Sequence, residues 1–384
     1  MVGVRMELAT QLELASLVDQ CENPDYLREQ LITYIGNKRA LLPFIGKGVE
    51  AVKRRLGKER LETLDLFSGT GIVARSLKSQ CSRLIANDLE RYSQVSNQCY
   101  LSNRSDVDER ELTETLRQLH RDIEEDFSPG LIAELYAPAD DRCIRSGERV
   151  FYTRRNAVYL DSARRAIGAL PARLQKYFLA PLLAAASVHA NTSGVFKGFY
   201  KSREGVGQFG GHGRDALARI LRPIELQAPI LSRFECETTV TRMDANALVE
   251  KGEHGHFDLA YIDPPYNQHP YGSNYFMLNL LCDYQRPSRI SDVSGIPVDW
   301  NRSRYNQRAQ AEAALMHVVD RCNADFLLVS YNSEGFIAHD RFLEQLRARG
   351  ALTVLETQYN AFRGSRNLAG RPIHVTEFLY LLER

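Results

Sequence analysis

The motif Asp263-Pro264-Pro265-Tyr266 contains the residues best suited to catalysis. It follows the apolar run 257–262, and ligands bind beyond the carboxyl ends of strands in open α/β sheets. The Asp263 carboxylate and the Pro264 carbonyl are two hydrogen-bond acceptors, and successive prolines make the loop stiff and free of backbone donors. Two such acceptors favour the nucleophilic geometry of an amine whose lone pair is delocalised into a ring. The motif therefore predicts group transfer to an aromatic amine.

Tyr266 indicates how a nucleic-acid base could be held at this loop. A base inside a duplex reaches such a loop only when it is flipped out, at a cost of a few kcal/mol, and stacking on an aromatic ring returns roughly 1–3 kcal/mol. We therefore expect Tyr266 to stack on a flipped base. The competing interpretation is a diproline turn whose tyrosine belongs to the core.

A glycine turn indicates a cofactor site. Gly69-Thr70-Gly71 follows the apolar run 61–67 and precedes helical spacing, and Asp88 comes at about the 20-residue distance where a carboxylate meets ribose hydroxyls. A nicotinamide dinucleotide or S-adenosylmethionine fits this pattern, as does a turn without a ligand. Asp65 would face the cationic amine of S-adenosylmethionine, whereas it would repel a pyrophosphate. This carboxylate therefore favours the methyl donor.

The elements that must position these residues alternate as in a doubly wound α/β fold. The predicted strands are 61–67, 83–86, 236–240, 257–262, 326–330 and 374–382, and the predicted helices include 6–20, 40–56, 172–190, 309–320 and 341–349. Charged, helix-like segments and a Gly-rich basic loop interrupt this rhythm. We therefore predict a Rossmann-like domain in two parts, 1–100 and 236–384, with a large, mostly helical insertion at 101–235.

The composition is that of a folded protein. Hydrophobic residues make up 44% and charged residues 25% of 384 residues, with a net charge of +1. No apolar stretch is long enough to span a membrane and no signal peptide is visible, so we expect a cytoplasmic protein. The seven cysteines contain no C-x-x-C pair and the nine histidines have no ligand spacing, so no metal site is expected. Charge is locally basic between Lys197 and Arg222.

The motifs and their order resemble the Dam-like, D12 class of DNA N6-adenine methyltransferases. Tyr34-Ile35-Gly36-Asn37-Lys38 is similar to the N-terminal motif whose aromatic and lysine contact the methyl donor, and 64–71 is similar to the Gly-rich motif. Asp244 resembles the acid that reads the donor's adenine amine. The resemblance implies an S-adenosylmethionine-dependent methyltransferase sheet. The implied cofactor-binding residues are Tyr34, Lys38, Asp65, Phe67, Gly69, Gly71, Asp88, Asp244 and Asp263.

The resemblance also implies where DNA binds. The insertion occupies the interval of the family's target-recognition region, and the segment 363–367 resembles a DNA-proximal loop. Lysines and arginines in Gly-rich or exposed loops neutralise phosphates, although the arginines after Trp300 could equally form a solvated turn. The predicted DNA contacts are Lys197, Lys201, Arg203, Arg302, Arg304, Arg363 and Arg366. Double-stranded DNA and a functionally paired restriction endonuclease are the implied partners.

Two other functions share part of this pattern. An RNA purine-amine methyltransferase would use the same loop chemistry, and the residues alone do not separate it from a DNA enzyme. An NAD-dependent oxidoreductase would explain Gly69 to Asp88 but leaves Asp263 to Tyr266 unexplained. The expected function is therefore site-specific methylation of adenine N6 in DNA, by transfer from S-adenosylmethionine to a flipped-out base.

Overall fold

The computed structural model describes residues 22–211, 216–360 and 374–384. Within these ranges the strands form one seven-stranded sheet of order β3-β2-β1-β4-β5-β7-β6. The strands are β1 (Leu61–Asp65), β2 (Cys81–Asp88), β3 (Glu237–Arg242), β4 (Phe257–Ile262), β5 (Ala324–Asn332), β6 (Ala351–Asn360) and β7 (His374–Glu383). The six predicted strands are confirmed. The predicted helix at 6–20 and the predicted DNA contacts Arg363 and Arg366 lie outside the described residues.

Helices pack on both faces of the sheet. They are α1 (Leu42–Leu56), α2 (Ile72–Leu77), α3 (Arg91–Tyr100), α4 (Glu109–Glu125), α5 (Leu131–Tyr136), α6 (Arg154–Ala169), α7 (Ala172–Val188), α8 (Leu217–Leu221), α9 (Ala245–Lys251), α10 (Tyr271–Asn274), α11 (Phe276–Asp283), α12 (Arg308–Arg321) and α13 (His339–Arg347). The helices predicted at 40–56, 172–190, 309–320 and 341–349 are confirmed. Among the helices of the described ranges, none has the length and apolar character of a membrane span.

The strand order creates a cleft in the middle of the sheet. β1 pairs in parallel with β2 on one side and with β4 on the other, and β3 and β5 extend the parallel sheet outward. The connections after β1 and after β4 therefore run to opposite sides, which is the switch point where ligands bind in doubly wound sheets. The predicted α/β architecture is confirmed, and the carboxyl ends of β1 and β4 locate the site.

Strand β6 is the strand of the described sheet that the sequence does not predict. It pairs antiparallel with β7 at the edge of the sheet, so its residues alternate between partial burial and exposure. Such an edge strand lacks the continuous apolar run that identifies β4 or β5. β7 is antiparallel to both of its neighbours, and its first residues therefore lie beside the carboxyl end of β5.

The insertion packs on helices that flank the cleft. Its core joins Leu119 of α4 and Phe178 of α7 to Tyr92 of α3 and Leu281 of α11, so these helices share apolar contacts. The buried Asp161 carboxylate accepts hydrogen bonds from the backbone amides of 130, 132 and 133, which fixes the start of α5. The mostly helical insertion is therefore anchored to the elements that form the site.

Candidate active site

An open cavity lies at the switch point, the place where ligands bind in doubly wound sheets. Residues from the ends of β1, β2 and β4 line it, together with residues before α1 and after β3. Eight of the nine predicted cofactor-binding residues are brought together here: Tyr34, Lys38, Asp65, Phe67, Gly69, Asp88, Asp244 and Asp263. Side chains separated by more than 200 positions in sequence thus meet in one cavity.

Asp65 is a buried carboxylate with no side-chain donor and no hydrogen bond of normal geometry in the described residues. The last residue of β1, it has no exposed surface, and neither side-chain oxygen accepts a hydrogen bond of normal geometry there. Burial raises the pKa of Asp65 well above its usual value, and the nearby Asp263 and Asp88 carboxylates raise it further, whereas the Ala74 and Phe67 backbone amides oppose the shift. A buried acceptor of this kind needs a donor, preferably a cationic one. The cavity therefore fits a ligand that carries an ammonium group.

The glycine turn is held by Asp88. The Gly69 amide donates to Asp88 Oδ2 at 2.8 Å, and the Glu90 amide donates to Oδ1 at 2.9 Å. Gly71 has a φ of 79°, and a Cβ there would lie 2.5 Å from Asn97 Oδ1. Gly71 is therefore required by packing against α3 and by its left-handed backbone, and it does not line the cavity.

Glu90 is a cavity residue that the sequence analysis misses. Only 3% exposed, its Oε2 accepts hydrogen bonds from Asn279 Nδ2 at 2.5 Å and from Asn301 Nδ2 at 3.0 Å. Burial raises the pKa of Glu90 to about 7, although the two amides oppose the shift. The carboxylate lies two residues beyond Asp88, at the end of the cavity where a sugar is expected. Its position two residues after a predicted ribose acid was the available signal.

Tyr34 lies inside a stack of tyrosines. Its ring stacks with Tyr271 at 4.9 Å and with Tyr275 at 4.5 Å, these two rings lie 6.0 Å from each other, and its hydroxyl lies 2.9 Å from that of Tyr92. The Cε1 edge of Tyr34 approaches Gly69. These ring contacts hold Tyr34 against the glycine turn.

The catalytic loop, Asp263 to Tyr266, is held by hydrogen bonds from both sides. The Phe336 amide donates to the Tyr266 carbonyl at 3.0 Å, and Asn306 Nδ2 donates to the Asn267 carbonyl at 2.8 Å. Asp263 and Pro265 line the cavity, whereas Pro264 is buried and Tyr266 is only 8% exposed. These contacts hold the loop in one conformation, as catalysis by preorganised acceptors requires.

Lys38 joins the catalytic loop to the sheet. Its Nζ lies 3.2 Å from Asp263 Oδ1 and 2.5 Å from Glu377 Oε1 of β7. Burial opposes the charge of Lys38, but the Asp263 and Glu377 carboxylates outweigh it and hold its pKa well above the usual value. Burial raises the pKa of Asp263 to about 7, against the opposing effect of Lys38. Glu377 is a second site residue that the sequence analysis misses.

The predicted DNA contacts of the insertion lie in a folded loop beside the catalytic loop. The buried Asn191 side chain donates to the carbonyls of 150 and 208 and accepts from the amide of 210, which fixes the loop. Lys197 and Arg203 are exposed, whereas Lys201 is half-buried over the Phe199 ring at 5.1 Å. Burial and the nearby Lys197 charge lower the pKa of His269, three residues beyond Tyr266. Lys197 therefore lies close to the catalytic loop.

The two arginines after Trp300 differ in their contacts. Arg302 lies over the Trp300 ring at 4.4 Å and donates to the Trp300 and Val298 carbonyls. Arg304 Nη2 lies 3.1 Å from Asp244 Oδ1, and the same oxygen of Asp244 caps α9 by accepting from the Ala247 amide. Arg304 thus contacts a predicted cofactor residue at the rim of the cavity. In the described ranges, no group of acidic, histidine or cysteine side chains is arranged to hold a metal ion.

The fold and the cavity define the class of protein. A parallel sheet extended by the reversed strand β7, a glycine turn at its switch point and an Asp-Pro-Pro-Tyr loop after β4 are consistent with a Rossmann-like methyltransferase that acts on an amine. Residues 34–294 match the model of the D12 class N6 adenine-specific DNA methyltransferases, and the chain belongs to this family. It methylates the N6 amine of adenine in DNA. The resemblance found in the sequence is confirmed.

Relatives of known class align along nearly the whole chain. Type II methyltransferase M.NlaIII of Neisseria lactamica is 28% identical, over 92% of this chain and 99% of its own length. Type II methyltransferase M.CviAII of Paramecium bursaria Chlorella virus 1 is 27% identical, over 92% of this chain and 99% of its own length. Type II methyltransferase M.FokI of Planomicrobium okeanokoites is 25% identical over 91% of this chain, which spans 52% of that longer protein.

Proposed function

We propose that the cavity binds S-adenosylmethionine and that adenine flipped out of double-stranded DNA is methylated against Asp263-Pro264-Pro265-Tyr266. The observation that carries this proposal is the burial of the Asp65 carboxylate, which has no cationic or side-chain donor in the described residues, in the same cavity as Asp263. S-adenosylmethionine supplies an electrophilic methyl group and carries an α-ammonium group. Asp65 is the acceptor that this ammonium group requires, whereas a nicotinamide dinucleotide carries no ammonium group and its pyrophosphate would be repelled by Asp65.

The remaining cavity residues account for the other parts of the donor. Asp88 and Glu90 are carboxylates suited to ribose hydroxyls, and Asp244 is suited to the exocyclic amine of the donor's adenine. Tyr34, Phe67 and Gly69 form the apolar and backbone walls between them. The residues present therefore fit this group in charge and in hydrogen-bonding type.

The catalytic loop acts on the target amine. The Asp263 carboxylate and the Pro264 carbonyl accept hydrogen bonds from N6, which directs the nitrogen lone pair out of the ring plane and makes it nucleophilic. N6 gains a methyl group and loses one proton. Asp263, with a pKa raised to about 7, is able to hold that proton before it passes to solvent. Tyr266 is the proposed stacking partner of the flipped base.

The basic loop of the insertion is the proposed DNA surface. Lys197 lies near His269, three residues beyond Tyr266, and Arg304 contacts Asp244, which lines the cavity; Lys201, Arg203 and Arg302 are further proposed contacts. We also propose that the modification protects DNA from a paired restriction endonuclease, because the similar proteins are named type II methyltransferases. Arg363 and Arg366 remain predicted contacts.

The test is methyl transfer from labelled S-adenosylmethionine to duplex DNA, followed by sequencing of the modified adenines. We expect label at N6 of adenine in a fixed sequence context, and loss of transfer in Asp263→Ala. Asp325→Asn, at a half-exposed carboxylate near the opposite end of β5, is the matched control and should retain activity. Label found only in RNA or on cytosine, or near-normal turnover of Asp263→Ala, would refute the proposal.

A further inference from the structure

Glu377 is a buried carboxylate behind the catalytic loop. It lies near the start of β7, and because β7 is antiparallel to β5, Glu377 pairs with Asn332 at the carboxyl end of that strand. Its side chain has no exposed surface. Oε1 accepts hydrogen bonds from Lys38 Nζ and from Ser330 Oγ, both at 2.5 Å. The reversed strand thus delivers an acidic group to the edge of the sheet where the cavity lies.

We propose that Glu377 is a positioning residue for catalysis, which holds the Lys38 ammonium between two carboxylates and thereby controls the charge and acceptor strength of Asp263. The proposal rests on the proposed role of Asp263 as the acceptor for N6. Glu377 itself lines no part of the cavity and contacts the reaction only through Lys38.

The charges of this cluster do not balance. Lys38 is one cation, and Asp263 and Glu377 are two anions when both are ionised. Taking an uncompensated charge out of water is costly, so the cluster gains a proton as the pH falls. Glu377 has the shorter contact with Lys38 and also accepts from Ser330, so Lys38 compensates Glu377 more closely than it compensates Asp263. The proton therefore goes to Asp263.

The other groups that face Asp263 act in the same direction or are neutral. Asp65, on β1, adds a further carboxylate, and its interaction with Asp263 raises the pKa of Asp65. Tyr261 on β4 and Tyr266 in the catalytic loop are phenols, and Lys38 Nζ lies 5.6 Å from the centre of the Tyr266 ring. Lys38 is therefore the cation that keeps Asp263 ionised, and Glu377 shares it.

Sharing Lys38 has a catalytic consequence. With Glu377 in place, the Lys38 ammonium group lies nearer to Glu377 than to Asp263. The Asp263 oxygens therefore remain strong acceptors for the target amine. Without the Glu377 charge, Lys38 would pair with Asp263 alone. The pKa of Asp263 would then fall, since the opposing negative charge is gone and the cation is closer. Asp263 would be ionised at lower pH but would be a weaker acceptor.

The test is the pH dependence of single-turnover methylation in Glu377→Gln. We expect the acid limb of the rate profile to move to lower pH by about one unit, the size of a single close charge effect, and the plateau rate to fall. Glu377→Asp keeps the charge and should keep the acid limb near the wild-type position. Glu383→Gln is the control on the same strand, because that carboxylate is 44% exposed and pairs with Arg55. It should leave the profile unchanged.

An acid limb of Glu377→Gln that stays in place or moves to higher pH overturns the proposal. A second measurement covers the case in which this variant does not fold. Carboxyl carbon NMR of the wild-type protein should show Asp263 titrating at about pH 7, and an Asp263 that titrates at the usual value of an exposed aspartate also overturns it. If Glu377→Gln methylates adenine and its acid limb is not shifted, only this inference is refuted. If the wild-type protein does not methylate adenine, the proposed function is refuted.

Discussion

Replacing Asp65 by asparagine should weaken binding of the donor without damaging the fold. The change keeps the size of the side chain but removes the negative charge that we assign to the donor's ammonium group. A hydrogen bond between charged groups contributes about 1.5–3 kcal/mol, and about 1.4 kcal/mol corresponds to tenfold in affinity. The dissociation constant for S-adenosylmethionine should therefore rise about ten- to a hundredfold. Isothermal titration calorimetry measures it directly.

Asp65→Asn should weaken donor binding but should stabilise the fold of the donor-free protein at neutral pH. The pKa of Asp65 is raised well above 3.8, so its carboxyl favours folding at low pH and this contribution is lost as the pH rises through the raised pKa. Asp65→Asn has no such loss. Its melting temperature, relative to wild type, should therefore increase as the pH rises above about 4. A variant that is less stable at neutral pH would show that Asp65 has a structural partner.

A ligand pair isolates the charge contact. S-adenosylhomocysteine and its analogue without the α-amino group should differ strongly in affinity for the wild-type protein and little for Asp65→Asn. Asp325→Asn should leave both affinities unchanged, because that carboxylate lies away from the cavity. If Asp65→Asn weakens both ligands equally, the residue does not contact the amine, and the central observation of the proposed function fails.

Three further changes test other parts of the site. The affinity of the wild-type protein for S-adenosylmethionine should fall as the pH drops below about 7, because the pKa of Glu90 is raised to about 7 and only its ionised form accepts hydrogen bonds from the ribose hydroxyls. In calorimetry, Glu90→Gln should bind S-adenosylmethionine weakly and without this pH dependence. Gly71→Ala should destabilise folding by about 2 kcal/mol in urea unfolding, whereas Gly46→Ala, whose Cβ meets no neighbour, should not. Lys197→Ala should lower the salt slope of DNA binding by about 1, and an unchanged slope would exclude a phosphate contact.

The sequence predicts most of the sheet because each central strand is one apolar run followed by polar residues. β4 illustrates this, since all six of its residues are buried and Asp263 follows directly. The sequence does not predict β6, because an edge strand buries only part of its side chains and therefore has no continuous apolar run. The glycine turn and the catalytic loop are local motifs, and their meeting at the switch point follows from the strand order alone.

Contacts between distant charges are not predictable in the same way. Lys38 and Glu377 are 339 positions apart, and each is ordinary within its own segment. The available signal was a glutamate inside the apolar run of β7, since a charged residue in a buried strand requires a partner. The sequence does not say which partner, because that depends on β7 running antiparallel to β5 and beside it.

The direction of β7 therefore has a chemical consequence as well as a structural one. Parallel strands place their last residues at the edge of the sheet that forms the cavity, and Asp65, Asp88 and Asp263 all reach it in this way. A reversed strand places its early residues there instead, so Glu377 enters from the C-terminal part of the chain. It meets Lys38 beneath Asp263, out of solvent. The same edge thus holds Asp263, the proposed acceptor for the target amine, and Glu377, which contacts the lysine beside it.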